Sequence, residues 1–295
     1  MDFTIKQYTQ LLQTLKSQGF SFYTFAEYIN DSTASSSLTS RHSSLIILRH
    51  DVEKRYSNAL RFAQIQHEMD IRGSYYFRLM PKSFNGSIIK QIAALGHEIG
   101  YHYDDLSECR GDYGRAYERF KKNLAYLREI APVKTITMEG APLSRYDNRD
   151  LWRREEVRDE WREMRGEKEE KLTAHHSSLN SKKSYRDFGI IAEPYFDINF
   201  NELFYITDTG RRWDGHLFNV RDKATKENPV TNPEFLKLRY RHTADIINAL
   251  EAGSFPRRAM LNFHPQRWND ALIPWMQELV WQNAKNQVKR FLVRK

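Results

Sequence analysis

The chain alternates between two hydrophobic periods. Residues 45–48, Leu-Ile-Ile-Leu, form an unbroken apolar run, which is how a strand buried on both faces reads. Between 54 and 70 the period changes. Ala59, Phe62, Ala63 and Met69 recur at helical spacing, giving one apolar face, and Gly73 closes the unit. The alternation continues with strands at 74–79, 97–102, 134–138, 189–192, 203–207 and 260–263. Helices fall at 87–95, 112–130, 233–250 and from 271 onward. An N-terminal helical region includes Tyr8 to Leu15, and the Ser/Thr-rich stretch 31–44 has no apolar period and reads as a loop. Alternating strands and helices predict an α/β domain with a parallel barrel or open sheet.

Composition narrows this picture. At 295 residues, 40% hydrophobic and 28% charged with a mean hydropathy of −0.73, the chain reads as one globular domain. It has no apolar run of the roughly 18 residues that span a bilayer, and its first residues show no charged segment followed by an apolar one. A cytoplasmic protein without a membrane span is expected. The single cysteine, Cys109, excludes an internal disulfide and thiolate-type zinc fingers. The net charge of +8 invites a nucleic-acid reading, but acids interleave with the bases. Arg153-Arg154-Glu155-Glu156 and Lys168-Glu169-Glu170-Lys171 make a solvated face with no basic stripe, so no nucleic-acid partner is expected. The positive field suits an anionic or nucleotide-linked ligand.

No dinucleotide or Walker phosphate loop is present, because Gly96 and Gly100 lie inside a strand unit. In barrels of this type chemistry gathers at the C-terminal strand ends. At the first of these, period-two geometry puts Arg49, Asp51 and Glu53 on one face and His50 and Val52 on the other. Such an acidic pair suits cation binding with general-base work, or else an ion pair with Arg49 or the cap of the next helix. At 97–102 the strand enters at His97, read as a satisfied core histidine, and ends at His102, a candidate metal ligand with Asp104 two residues on. Residues 260–263 deliver His264, a proton donor or further ligand, or the anchor of the turn through Gln266 and Trp268. The polar loop at 140–150, with Arg145 and Tyr146, is a candidate substrate contact. So is the turn at 207–214, with Asp208, Arg211 and Trp213, since sugar sites combine aromatic faces with acids or arginines.

In order along the chain, these motifs resemble the polysaccharide deacetylases of carbohydrate esterase family 4, the NodB-homology group. Arg49-His50-Asp51-Val52-Glu53 is similar to the family's first motif, and residues 96–102 resemble the second. Residues 261–265 resemble the motif that supplies the catalytic acid, and Gly73-Ser74-Tyr75-Tyr76-Phe77 resembles the family's second strand. The resemblance implies a distorted (β/α)7 barrel over 45–295, after an N-terminal region at 1–44, with a charged insertion at about 153–185. It implies Asp51 as base, His264 as acid, and Glu53 and His102 as ligands of a divalent metal: zinc first, with manganese, iron, cobalt or nickel as alternatives. Where the family carries a second metal histidine this chain has Leu106, so Asp104 or His264 is expected to complete the shell. Arg49 joins the expected substrate contacts. The implied activity is removal of an acyl group, N-acetyl foremost, from a carbohydrate in surface-polysaccharide metabolism. Hydrolysis of a small non-sugar amide and a catalytically silent carbohydrate-binding barrel are the alternatives.

Overall fold

The computed structural model describes residues 1–34, 44–141, 144–153, 183–213 and 229–293, with side chains described as far as residue 284. Its elements run α1 (Ile5–Ser17), β1 (Ser21–Tyr23), α2 (Phe25–Ala34), β2 (Leu45–Val52), α3 (Tyr56–Glu68), β3 (Ser74–Phe77), α4 (Gly86–Ala94) and β4 (Glu98–Tyr103). The order continues with α5 (Asp105–Glu108), α6 (Tyr113–Arg128), β5 (Val133–Met138), α7 (Pro194–Asp197), β6 (Phe204–Thr207), α8 (Pro233–Lys237), α9 (Thr243–Glu251), β7 (Arg258–Phe263) and α10 (Leu272–Val293).

Every strand pair is parallel, in the order β5-β4-β3-β2-β7-β6, with β1 paired to the start of β2 on the edge that β3 takes further along. This is an α/β fold with a seven-stranded parallel sheet and helices around it. All eight residues of β2 are buried, which is why its apolar run lacks alternation. Helix starts follow side-chain chemistry. Thr4, Asn85 and Asp112 each accept a hydrogen bond from a first-turn N–H of α1, α4 and α6.

The sheet curls into a barrel-like form. Arg49, near the middle of the sheet, donates from Nη1 to the Tyr195 hydroxyl at 3.4 Å, beyond the β5 edge, and Tyr195 meets Tyr205 of β6 at 6.5 Å between ring centroids. Gly100 permits the crossing inside. A Cβ there would sit 2.3 Å from the Tyr76 ring, whose hydroxyl reaches across β4 to Thr135 Oγ1 at 2.9 Å. At the opposite end α2 covers the floor, Phe25 N–H donating to Ser74 Oγ at 2.8 Å and Ala26 N–H to Glu98 Oε2 at 3.1 Å. Tyr8, Leu11, Leu12, Leu15 and Phe25 belong to the same hydrophobic core as β2, so the N-terminal helices are built into the fold.

Four elements differ from their sequence expectations. Helix α2 runs through Asp31 to Ala34, inside the stretch read as loop. Strand 189–192 shrinks to one parallel bridge, Ala192 to Thr135, between the left-handed Gly189 (φ 69°) and Pro194. The helix expected at 233–250 is two, because the Asp245 carboxylate accepts from the N–H groups of Arg241 and His242 and starts α9 afresh. Strand β1, Ser-Phe-Tyr, is too short to show a period. Most of the Ser/Thr-rich loop (35–43) and of the charged segment (154–182) lies outside the described residues.

Candidate functional site

Asp51, near the end of β2, is a buried charge on the inner face of the curled sheet. Arg49 grips it from two residues back on the same face, Nε donating to Oδ1 at 2.9 Å and Nη2 to Oδ2 at 2.7 Å. Asn262 of β7, in register with Arg49, donates to Oδ2 at 2.9 Å. Burial alone would raise the Asp51 pKa, but the charges of Arg49, His102 and His264 outweigh it and hold the carboxyl below its ordinary range. A carboxylate bound this way stays ionised and is a weak base near neutral pH.

His264, one residue past β7, is held by Asp208, one residue past β6. Asp208 is fully buried and accepts four hydrogen bonds: from His264 Nδ1 at 2.6 Å, His264 N–H at 3.0 Å, Trp268 Nε1 at 2.6 Å and Arg267 Nη1 at 2.7 Å. Nδ1 lies 2.6 Å from the Asp208 carboxylate, which only accepts, and 2.8 Å from Arg267 Nη1, which only donates; we assign the proton to Nδ1 on the shorter contact to the anion, which leaves Nε2 unprotonated. Nε2 points to Glu53 Oε1 at 3.5 Å, while Gln266 donates to Glu53 Oε2 at 2.9 Å. Burial pushes the Asp208 pKa up; His264 and Arg267 push it down further.

His102, at the end of β4, is engaged on both nitrogens. Nδ1 meets the Thr137 carbonyl at 3.1 Å and Nε2 meets Glu139 Oε2 at 3.2 Å. Burial lowers its pKa, yet the negative charges of Asp51 and Glu139 raise it to about 9. Glu139, one residue past β5, is held below the carboxylate range against its own burial, chiefly by His102.

Arg49, Asp51, Glu53, His102 and His264 therefore gather at the C-terminal strand ends. Asp104 does not join them. Arg78 takes its Oδ2 and Arg119 its Oδ1, the latter at 2.6 Å, drawing it toward α6. Leu106 is packed with Cys109, Ala116 and Leu151 in a separate small cluster. Arg145 is exposed and stacked on Tyr146, which packs against Gly111 beside that cluster.

Arg211 and Trp213, expected at a substrate surface, are structural. Arg211 donates to the Trp275 carbonyl at 2.7 Å and ties the two ends of the chain together. Trp213 lies in the core against Phe3, Phe263 and Trp268, with Nε1 donating to Thr243 Oγ1 at 3.0 Å. Asp208 acts through His264.

The ligand set implied by the resemblance, Glu53, His102 and Asp104, is not assembled. Its members turn to Gln266 and His264, to Glu139, and to two arginines, and no three His, Cys, Asp or Glu side chains group as metal ligands among the described residues. A divalent metal does not fit that donor set as it stands.

Glu139, Asn262 and the orienting role of Asp208 were not anticipated. A signal existed for two of them: Glu139 directly follows a strand as His264 does, and Asn262 shares the parity of His264. Comparison with known protein families, with curated proteins and with solved structures finds no match. The buried network Tyr8, His50, Gln66 and Tyr75 on the outer face of β2 is internally satisfied and stays structural. No helix of the described residues is long and apolar enough to cross a membrane.

Proposed function

We propose that this chain is a hydrolase removing an acyl group, N-acetyl foremost, from a sugar, on a distorted (β/α)7 barrel of the polysaccharide deacetylase type. The observation that carries the proposal is His264, fixed through Nδ1 by buried Asp208 and turned through Nε2 toward Glu53 at the strand ends. In the proposed reaction His264 Nε2 takes a proton from water aligned by Glu53. The hydroxide oxygen bonds to the acyl carbon, and Asp208 stabilises the imidazolium. As the carbon–nitrogen bond breaks, the same proton passes to the departing amine, leaving the free acid and the amino sugar. Arg49 and His102 supply positive potential for the developing oxyanion, and Asp51, gripped by Arg49 and Asn262, positions the guanidinium. This assignment moves proton abstraction from Asp51 to His264 and runs no step through a cation. Tyrosines 76, 195 and 205 around Arg49 and Asn262 suit a hydroxyl-rich substrate.

The test is release of acetate from N-acetylglucosamine oligomers and from small non-sugar acetamides, with chelator and with added zinc or manganese. The proposal expects release from the sugar, with the sugar favoured. Preference for the small amides would move the activity to the amidohydrolase alternative. Sugar binding without release under every cation condition would leave a carbohydrate-binding barrel.

A further inference from the structure

Two side-chain amides bracket His264, Asn262 two residues before it on β7 and Gln266 two residues after it in the turn, and both are buried. Each is held by a carboxylate from the end of β2. Asn262 Nδ2 donates to Asp51 Oδ2 at 2.9 Å and to the Tyr205 hydroxyl at 3.2 Å, and Gln266 Nε2 donates to Glu53 Oε2 at 2.9 Å. A carboxylate only accepts, so both amides are fixed with the nitrogen on the acid and the oxygen on the other branch. Asn262 Oδ1 and Gln266 Oε1 are then buried acceptors without a hydrogen-bond partner among the described residues. Such atoms are costly unless something donates to them.

Their position gives the donor a chemical class. Asn262 is in register with Arg49 and has the parity of His264, so it stands on the inner face with both, while Gln266 shares the Glu53 carboxylate with His264 Nε2. A secondary amide is trans and shows its carbonyl and its N–H in opposite directions. With the carbonyl toward the donors, Arg49 of β2 and His102 of β4, the N–H faces the acceptors at β7. An ester of the same shape puts an oxygen there, which has lone pairs and no hydrogen to give.

We infer that Asn262 and Gln266 determine specificity for N-acyl over O-acyl sugars: Asn262 Oδ1 accepts the scissile N–H, and Gln266 Oε1 accepts the second N–H that the nitrogen gains on cleavage. The inference rests on the reading of the strand ends as an acyl-hydrolase site. The water oxygen bonds to the acyl carbon, its proton passes through His264 to the nitrogen as the carbon–nitrogen bond breaks, and the released amine has two hydrogens for two acceptors. The alcohol released from an ester has one.

The experiment compares the methyl glycoside of N-acetylglucosamine with the glucose analogue that carries an O-acetyl at the same carbon, on the full chain and on Asn262→Leu and Gln266→Met. Acetate release is read on these chains, and calorimetric binding is read with each in a His264→Gln background that stops turnover. Circular dichroism checks folding, and Gln266→Met carries the comparison if Asn262→Leu does not fold. The His264→Gln chain should bind the amide about tenfold or more tighter than the ester, and adding Asn262→Leu should bring the two to parity. In turnover, kcat/KM of Asn262→Leu should fall about tenfold or more further on the amide than on the ester, with Gln266→Met moving the ratio the same way. A merely structural role lowers both substrates alike. Equal binding of the two ligands, binding of neither, or an amide-to-ester ratio that neither variant moves overturns the inference. A binding preference that Asn262→Leu erases, without acetate release by the parent, would remove the hydrolase reading and leave the two oxygens as an N–H recognition site.

Discussion

Two histidines at the strand ends each face a carboxylate, and the pairs are built in opposite senses. Asp208 grips His264 at Nδ1 and is itself saturated by Trp268, Arg267 and a backbone N–H, so Nε2 is left to meet Glu53 at 3.5 Å. In the other pair a backbone carbonyl holds His102 at Nδ1, and Glu139 occupies Nε2. The same two residue types thus give one oriented histidine with a working nitrogen and one closed ion pair. Which nitrogen the carboxylate takes decides the difference.

The largest expected effect comes from Asp208→Asn. It removes the negative charge that three side-chain donors share in a buried site and puts an NH2 donor where one accepting oxygen stood, so turnover should fall about a hundredfold or more, with about 3 kcal/mol of stability lost. Steady-state kinetics and urea unfolding read the two together. If stability falls and turnover does not, the Asp208 and His264 pair is only architecture.

Next in size is Asp51→Asn, which leaves the buried Arg49 guanidinium short of its anionic partner. Unfolding should become easier by about 3 kcal/mol. An unchanged unfolding midpoint would show that Asp51 does not hold Arg49.

Glu139→Gln sharpens the comparison from the closed pair. His102 has its folded pKa raised to about 9, so its contribution to stability is complete below about 6.5 and is lost as pH rises through 9. The variant should lower the His102 pKa in an imidazole NMR titration and flatten the loss of stability between those values. A His102 titration that does not move would dissolve the pair.

The smallest effect is assigned to His97, remote from both pairs. Its Nδ1 accepts from Gly73 N–H at 3.2 Å and its Nε2–H donates to the Ala63 carbonyl at 2.9 Å, so the ring is buried neutral and burial lowers its pKa to about 4. The unfolded chain takes up that proton first, and stability therefore falls as pH drops from about 6.5 toward 4. His97→Asn should shrink this acid loss in pH-dependent melting, and an identical profile would contradict the neutral assignment.

Much of this arrangement is legible in the sequence. Strict period-two alternation puts Arg49 and Asp51 inside and His50 outside, where it meets Tyr8, Gln66 and the Ser74 carbonyl. What escaped the sequence depends on distant partners. Asp208 lies 56 residues from His264, and no local period joins them. Trp213, aromatic in a polar stretch, reads as a sugar platform, but its packing partners Phe3, Phe263 and Trp268 come from both ends of the chain. Asp104 carries a ligand's residue type at a ligand's spacing. Only the fold brings Arg78 and Arg119 onto its two oxygens.

The most direct measurement is acetate release from an N-acetylglucosamine oligomer by His264→Gln beside the parent chain, with melting temperatures taken on the same samples. The account predicts a loss of turnover of about a hundredfold or more while the variant melts cooperatively within a few degrees of the parent. Turnover retained in His264→Gln would contradict the assignment of His264 as the proton-transferring group.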